Sequence, residues 1–243
     1  MHKSKQKIYF HLITVVVALV LLLLIITIMI QQFANNHTTV SPADLVEKDI
    51  NIDAVQPLNE ELSDGLTVDD IGSYSGLYIE DGTDEIVSGI LMLTVTNHAE
   101  QTMQYAEITL SDGVDTAYFS LTTLPPGESA VLLEKNRMTY KQGMLLKDIS
   151  LGTVSYFTTE PSMCESLVTI QKLDGVLNIT NISGAPITGD IMIYYKNASE
   201  DMLYGGITYR VTISGGLETD EIRQITANHF YAKGSRIMFV TVG

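Results

Sequence analysis

The chain has no tryptophan and a single cysteine, Cys164, among 243 residues. One cysteine excludes an intramolecular disulfide. Extracellular β-sandwiches of animal origin commonly carry disulfides, so the lack of a pair favours a bacterial outer surface. The lack of Trp removes the flat side chain that sugar-binding sandwiches most often present. Twelve Tyr remain, but Tyr at alternating strand positions is usually a packing residue. Basic residues are also scarce, with 14 Lys and Arg against 29 Asp and Glu. Such a surface repels nucleic acid and anionic headgroups, which argues against a nucleic-acid partner.

The residues that carry chemistry are few and far apart. Only His98 and His229 lie in the region expected to fold. A Ser-His-Asp hydrolase needs a histidine beside its nucleophile, and neither His has one nearby in sequence; each reads as a turn or rim residue. Gly72-Ser73-Tyr74-Ser75-Gly76 has the spacing of a nucleophile elbow but places Tyr at the centre. Cys164 reads as a small packing or linker residue, with nothing around it to activate the thiol. Zinc requires three or four ordered ligands, which one Cys and two distant His do not supply. Calcium takes loop carboxylates; the run Glu80-Asp81-Gly82-Thr83-Asp84-Glu85, with Asp112 and Asp115, offers them, although a polar β-turn is the ordinary reading. Phosphate-binding and dinucleotide fingerprints are absent. No catalytic residue, metal ligand, cofactor or small-molecule substrate is therefore assigned, and the chain is expected not to be an enzyme.

What the sequence does have is one long apolar run. From Leu12 to Ile30 there is no charge, and 15 of 19 positions are Leu, Ile or Val. Extended back to Ile8, the run of 23 residues spans roughly 34 Å as a helix, enough to cross a hydrocarbon core of about 30 Å. Its branched residues favour insertion by about 4.5 to 9 kcal/mol. Lys3, Lys5 and Lys7 precede it, and the first acid is Asp44. The positive-inside rule places the N-terminus in the cytoplasm and everything after the helix outside. A cleaved signal peptide shares the basic start, but its apolar region is shorter and small residues follow it closely. Here Gln31-Gln32-Phe33 follow, so an uncleaved anchor is the expectation. The part beyond the helix carries 11 bases against 29 acids, a net charge of −18.

Residues 31–71 are acidic and poor in aromatics, which predicts a self-repelling linker or stalk. From Leu77 the signal is β. Ile90 to Thr96, Tyr105 to Leu110, Tyr118 to Leu121 and Ala130 to Leu133 are short apolar or alternating runs. Gly, Pro, Asn and Asp separate them every 8–12 residues or so, the spacing of a sandwich or barrel. The second half repeats the first: Thr94-Val95-Thr96-Asn97 matches Asn178-Ile179-Thr180-Asn181, 84 positions later. Val131 to Asn136 aligns with Leu217 to Asn228 only through a gap. The period is that of a domain, not of a solenoid. The predicted organisation is a cytoplasmic tail (1–7), a transmembrane helix (8–30), the linker (31–71) and two tandem antiparallel β-sandwiches at 72–160 and 164–243, joined at Glu160-Pro161-Ser162. One sandwich of about 170 residues is the alternative. Four Asn-X-Ser/Thr sequons occur, at Asn36, Asn178, Asn181 and Asn197. A Ser- and Thr-rich β protein produces such triplets by chance.

Leu93-Thr-Val-Thr-Asn97, a strand closing in Ser111-Asp112-Gly113, and Leu124-Pro-Pro-Gly-Glu-Ser129 together resemble bacterial immunoglobulin-like surface modules of the cell-adhesion-related and fibronectin types. The likeness covers about 60 residues of the first sandwich and is weaker in the second, where Ser214-Gly215-Gly216-Leu217-Glu218 stands for the Pro-Gly-Glu turn. It implies an all-β ectodomain and assigns no functional residue. The expectation is a single-pass cell-membrane protein whose sandwiches lie outside the cell and contact another protein or support an assembly. The alternative is an accessory subunit of a transport, secretion or envelope-assembly complex.

Overall fold

The computed structural model describes residues 50–243 apart from Asp84. The expected tail, transmembrane helix and first part of the linker lie outside the described residues. Among the described residues no helix is long and apolar enough to cross a membrane. They form an all-β body with one short 3-10 turn at Ser63–Gly65.

Seven strands come first: β1 (Asn51–Glu61), β2 (Leu66–Leu77), β3 (Ile86–Asn97), β4 (Met103–Ser111), β5 (Thr116–Leu124), β6 (Ser129–Leu133) and β7 (Asp148–Tyr156). Six follow: β8 (Val168–Leu173), β9 (Val176–Asn181), β10 (Ile191–Ala198), β11 (Leu203–Ile213), β12 (Ile222–Thr226) and β13 (Ser235–Val242). Strands β2, β3 and β6 hydrogen-bond side by side, and β5, β4 and β7 form a separate three-stranded sheet. Between them lies a core of Leu66, Val68 and Ile71 from β2, Leu91, Leu93 and Val95 from β3, and Ala106, Ile108, Phe119 and Leu121 from β4 and β5. This is a sandwich, each sheet giving alternate side chains to the interior.

The second half repeats that order strand for strand. Sheet β8-β9-β12 corresponds to β2-β3-β6, and β11-β10-β13 to β5-β4-β7. Its core holds Leu177 and Ile179 of β9, Ile191, Ile193 and Tyr195 of β10, and Phe230. Asn97 and Asn181 occupy the same place at the ends of β3 and β9 and are fully buried. Asn97 Oδ1 accepts from the Ala99 amide two residues on, and its Nδ2 donates to Gln101 O and Leu124 O. Asn181 repeats this with the Ser183 amide, Ala185 O and Leu217 O, and adds Glu218 O and the Ser183 hydroxyl. Each Asn closes the turn behind its strand and ties it to the chain entering the neighbouring one.

The two halves are not beads on a string. Strand β11 pairs in parallel with β6 through Leu203–Ala130 and Tyr204–Val131. A seven-stranded sheet β1-β2-β3-β6-β11-β10-β13 therefore runs through both sandwiches. Strand β3 is buried on both faces, since Ile90 and Met92 pack outward against Tyr78, Ile79 and Tyr231. That is why it reads as an unbroken apolar run.

The linker reading fails from Asn51 onward, because β1 and most of β2 occupy that stretch. Two register shifts interrupt β1, at Asp53/Gln56 and Pro57/Glu60, and Ala54 and Asn59 turn to φ 52° and 53°. A bulge between Val68 and Asp70 breaks the alternation of β2. Bulges, Pro57 and acids are how a sheet edge is kept from pairing with other chains, and the same features imitate a stalk in sequence.

Candidate functional site at the junction of the sandwiches

Charged groups are concentrated where the two sandwiches meet. Strand β10 carries a bulge between Tyr195 and Asn197 against β11, which turns Lys196 inward until it is fully buried. Its Nζ donates to Thr122 O at 2.9 Å, Gly206 O at 3.1 Å and Ile207 O at 2.9 Å. Three carbonyls match the three N–H groups of an ammonium. Burial pulls the group down to about 7, and the Coulomb field of Glu80 opposes that.

Glu80, in the β2–β3 connection, supplies the compensating charge. Its Oε1 accepts from the Leu133 amide at 2.9 Å and the Gly206 amide at 2.8 Å. Burial raises its pKa, while those two amides, Lys196 and Lys135 act to lower it. Its carboxylate sits where β6 and β11 separate after two paired residues, and it satisfies the amides left open there. Thr122 and Thr208 add a hydroxyl pair across the same seam, 2.9 Å apart. Gly206 has no room for a side chain, since a Cβ there would stand 1.8 Å from Ser120 O. At the rim, Arg236 of β13 is hydrogen-bonded and paired to Glu128 of the Pro-Gly-Glu turn.

The acidic loop considered for calcium is engaged with a cation of the protein itself. Arg137 bridges Asp81 at 3.1 Å and Glu85 at 2.5 Å, and its guanidinium lies 4.3 Å from the centre of the Tyr78 ring. Glu80 points into the junction, Asp112 accepts from its own turn amides at Val114 and Asp115, and Asp115 pairs with Lys141. Asp84 lies outside the described residues. No group of three metal-ligating side chains is assembled among the described residues.

His98 and His229 fall in different sandwiches. His98 is exposed beside a shallow depression with Glu61 and Thr67. His229 is half-buried and stacks on Tyr209 with ring centres 4.8 Å apart. Tyr74 is buried and its hydroxyl donates to Leu77 O, and the glycine-flanked segment is part of strand β2, with a register shift between Tyr74 and Gly76. Cys164 is half-buried with its thiol toward Val240 O. Among the sequons, Asn181 and Asn197 are buried, and Asn178 is hydrogen-bonded to Gln171 and Gln224 on either side; Asn36 lies outside the described residues.

A cavity of about 350 Å³ opens between Ile50, Ser199, Glu200, Tyr204 and Lys233. Sequence reasoning missed the junction because Glu80 and Lys196 are 116 positions apart. The available signal was a lone Lys directly after the apolar run Ile191 to Tyr195, inside the same strand. No protein-family model and no curated protein matches the chain.

Proposed function

We propose that this is a membrane-anchored display and interaction protein, holding two immunoglobulin-like sandwiches as one stiff block on the outer side of a bacterial cell membrane. The observation that supports it best is the shared seven-stranded sheet with its buried Glu80–Lys196 junction. A sheet continuous through both sandwiches favours a fixed presentation of surface over hinge motion. The apolar run at 8–30 would serve as the anchor, with its three lysines on the cytoplasmic side. An acidic body favours solubility beside an anionic membrane.

The topology is tested with a Val114→Cys substitution in a Cys164→Ser background. Val114 lies in the β4–β5 turn and is 88% exposed. A membrane-impermeant maleimide added to intact cells is expected to label it. Labelling only after lysis would place the body in the cytoplasm and overturn the proposal.

A further inference from the structure

The outward face of sheet β8-β9-β12 is free of charge. Cross-strand register sets its nine side chains in three rows: Thr169, Thr180 and Ile222; Gln171, Asn178 and Gln224; Leu173, Val176 and Thr226. None is Asp, Glu, Lys or Arg, in a chain that carries 29 acids. Ile222 is 68% and Leu173 43% exposed. The corresponding face of the first sandwich is not bare. There Met92, Val131 and Leu133 match Val176, Gln224 and Thr226 and are buried in one cluster with Tyr78, Ile79 and Tyr231. Charge depletion is the compositional mark of an interface core.

We infer that this face packs against the same face of a second copy of the chain. Two copies of an acidic protein repel each other, and a charge-free face gives them a place to meet without opposing like charges. A cationic partner would gain more from the acidic surface elsewhere. The amide row is also directional. Gln224 Nε2 donates to Asn178 Oδ1 at 3.2 Å, and Asn178 Nδ2 donates to Gln171 Oε1 at 3.1 Å. Among the described residues the row therefore ends in the carbonyl of Gln224 at one side and the amide N–H groups of Gln171 at the other. A two-fold axis along β9 sets the acceptor end of one row over the donor end of the other, twice. Such a contact is isologous and closes as a dimer. Three strands and five residues cover roughly 250 Å² in plan, well under the 800 Å² or so per partner of a stable soluble interface. The dimer therefore forms between copies held on one membrane, where effective concentration is high. The inference deepens the interaction reading by naming the partner, and its test reads association, not membrane sidedness.

The experiment uses the full chain in its membrane, with Thr180→Cys in a Cys164→Ser background. The two-fold axis places position 180 opposite itself, at about the 10 Å spacing of packed sheets. A bifunctional thiol reagent of that span is expected to give a covalent dimer. Adding Gln171→Glu is expected to cut its yield at least tenfold, because a carboxylate then faces the Gln224 carbonyl of the other copy, and combining Gln171→Glu with Gln224→Lys to restore it, because the new charges meet across the interface. Should the Gln171→Glu chain not fold, Thr169→Lys at the exposed edge gives the same reading. The inference is overturned by a yield no higher than from Val114→Cys. It is overturned equally by a dimer insensitive to the face substitutions, or by a monomer whose position 180 is shielded from the reagent, which would assign the face to a different molecule.

Discussion

Glu80 and Lys196 hold opposite ends of Gly206: the amide donates to Glu80 at 2.8 Å and the carbonyl accepts from Lys196 at 3.1 Å. The residues come from different sandwiches, and Gly206 stands just past the point where β11 leaves β6. The two charges are linked through one residue, Gly206. Each compensates the other's burial, so removing one leaves the other unmatched.

Lys196→Met leaves the Glu80 carboxylate with Lys135 as its remaining cation and takes the ammonium donor from three carbonyls, of which Thr122 O and Gly206 O keep a threonine hydroxyl. The expected cost is about 3–5 kcal/mol, read as a lowered melting temperature of the full chain in detergent. The double variant Glu80→Gln with Lys196→Met is expected to melt above the single one, because Gln keeps an acceptor for the amides and carries no charge. Additive effects in that cycle would mean the residues are not coupled.

The pair also has a pH signature. The folded chain holds the Lys196 ammonium less tightly than the unfolded chain does, since burial lowers its pKa from 10.5 to about 7. The unfolded state binds more protons across that window, so this residue makes stability rise with pH between those two values, by at most about 1.4 kcal/mol per unit. Below the lower value its burial penalty is constant. Glu80, raised by burial, acts in the opposite sense above the ordinary Glu range. Melting curves of wild type and Lys196→Met at pH 7 and 9.5 separate the lysine's part. The gap between the two proteins should widen at the higher pH; a gap that narrows or stays fixed counts against the assignment.

Asn97 and Asn181 should be the costliest polar positions outside the junction. Asn97→Ala takes the partner from the buried Leu124 carbonyl, the Gln101 carbonyl and the Ala99 amide, at about 1–3 kcal/mol for such a loss. Asn181→Ala is expected to cost more, because it serves three carbonyls. Denaturant midpoints of the two variants check the order. Equal midpoints would mean the turns relax around the missing amide.

Gly206→Ala is a steric test of the same seam. With a Cβ position 1.8 Å from Ser120 O, β5 and β11 must part by more than an ångström. Chymotrypsin digestion of the variant is expected to open near Tyr204 and Tyr209, sites that stay protected in wild type.

The β architecture was legible because its strands alternate or run apolar, and the repeat because the Asn-ending strands recur with their turns. The Val131 alignment needed its gap because the second half inserts residues between the Asn turn and the matching edge strand. Strands β1 and β2 were hidden by bulges that break the two-residue period, and by acids that mark a protected edge as readily as a stalk. The junction was invisible for another reason. A buried Lys is recognised only when its partner is known, and Glu80 sits in a run of acids that reads as a solvated loop. The weld between the halves rests on two parallel residue pairs, a contact no local pattern encodes.

Hydrogen exchange on the full chain tests the central claim, that the two sandwiches form one cooperative block, most directly. Peptides covering Leu91–Val95 of β3 and Leu177–Asn181 of β9 should exchange with the same free energy in wild type. Lys196→Met should lower both. Separate free energies in wild type, or a variant that loosens the second sandwich alone, would contradict it and leave two independent modules.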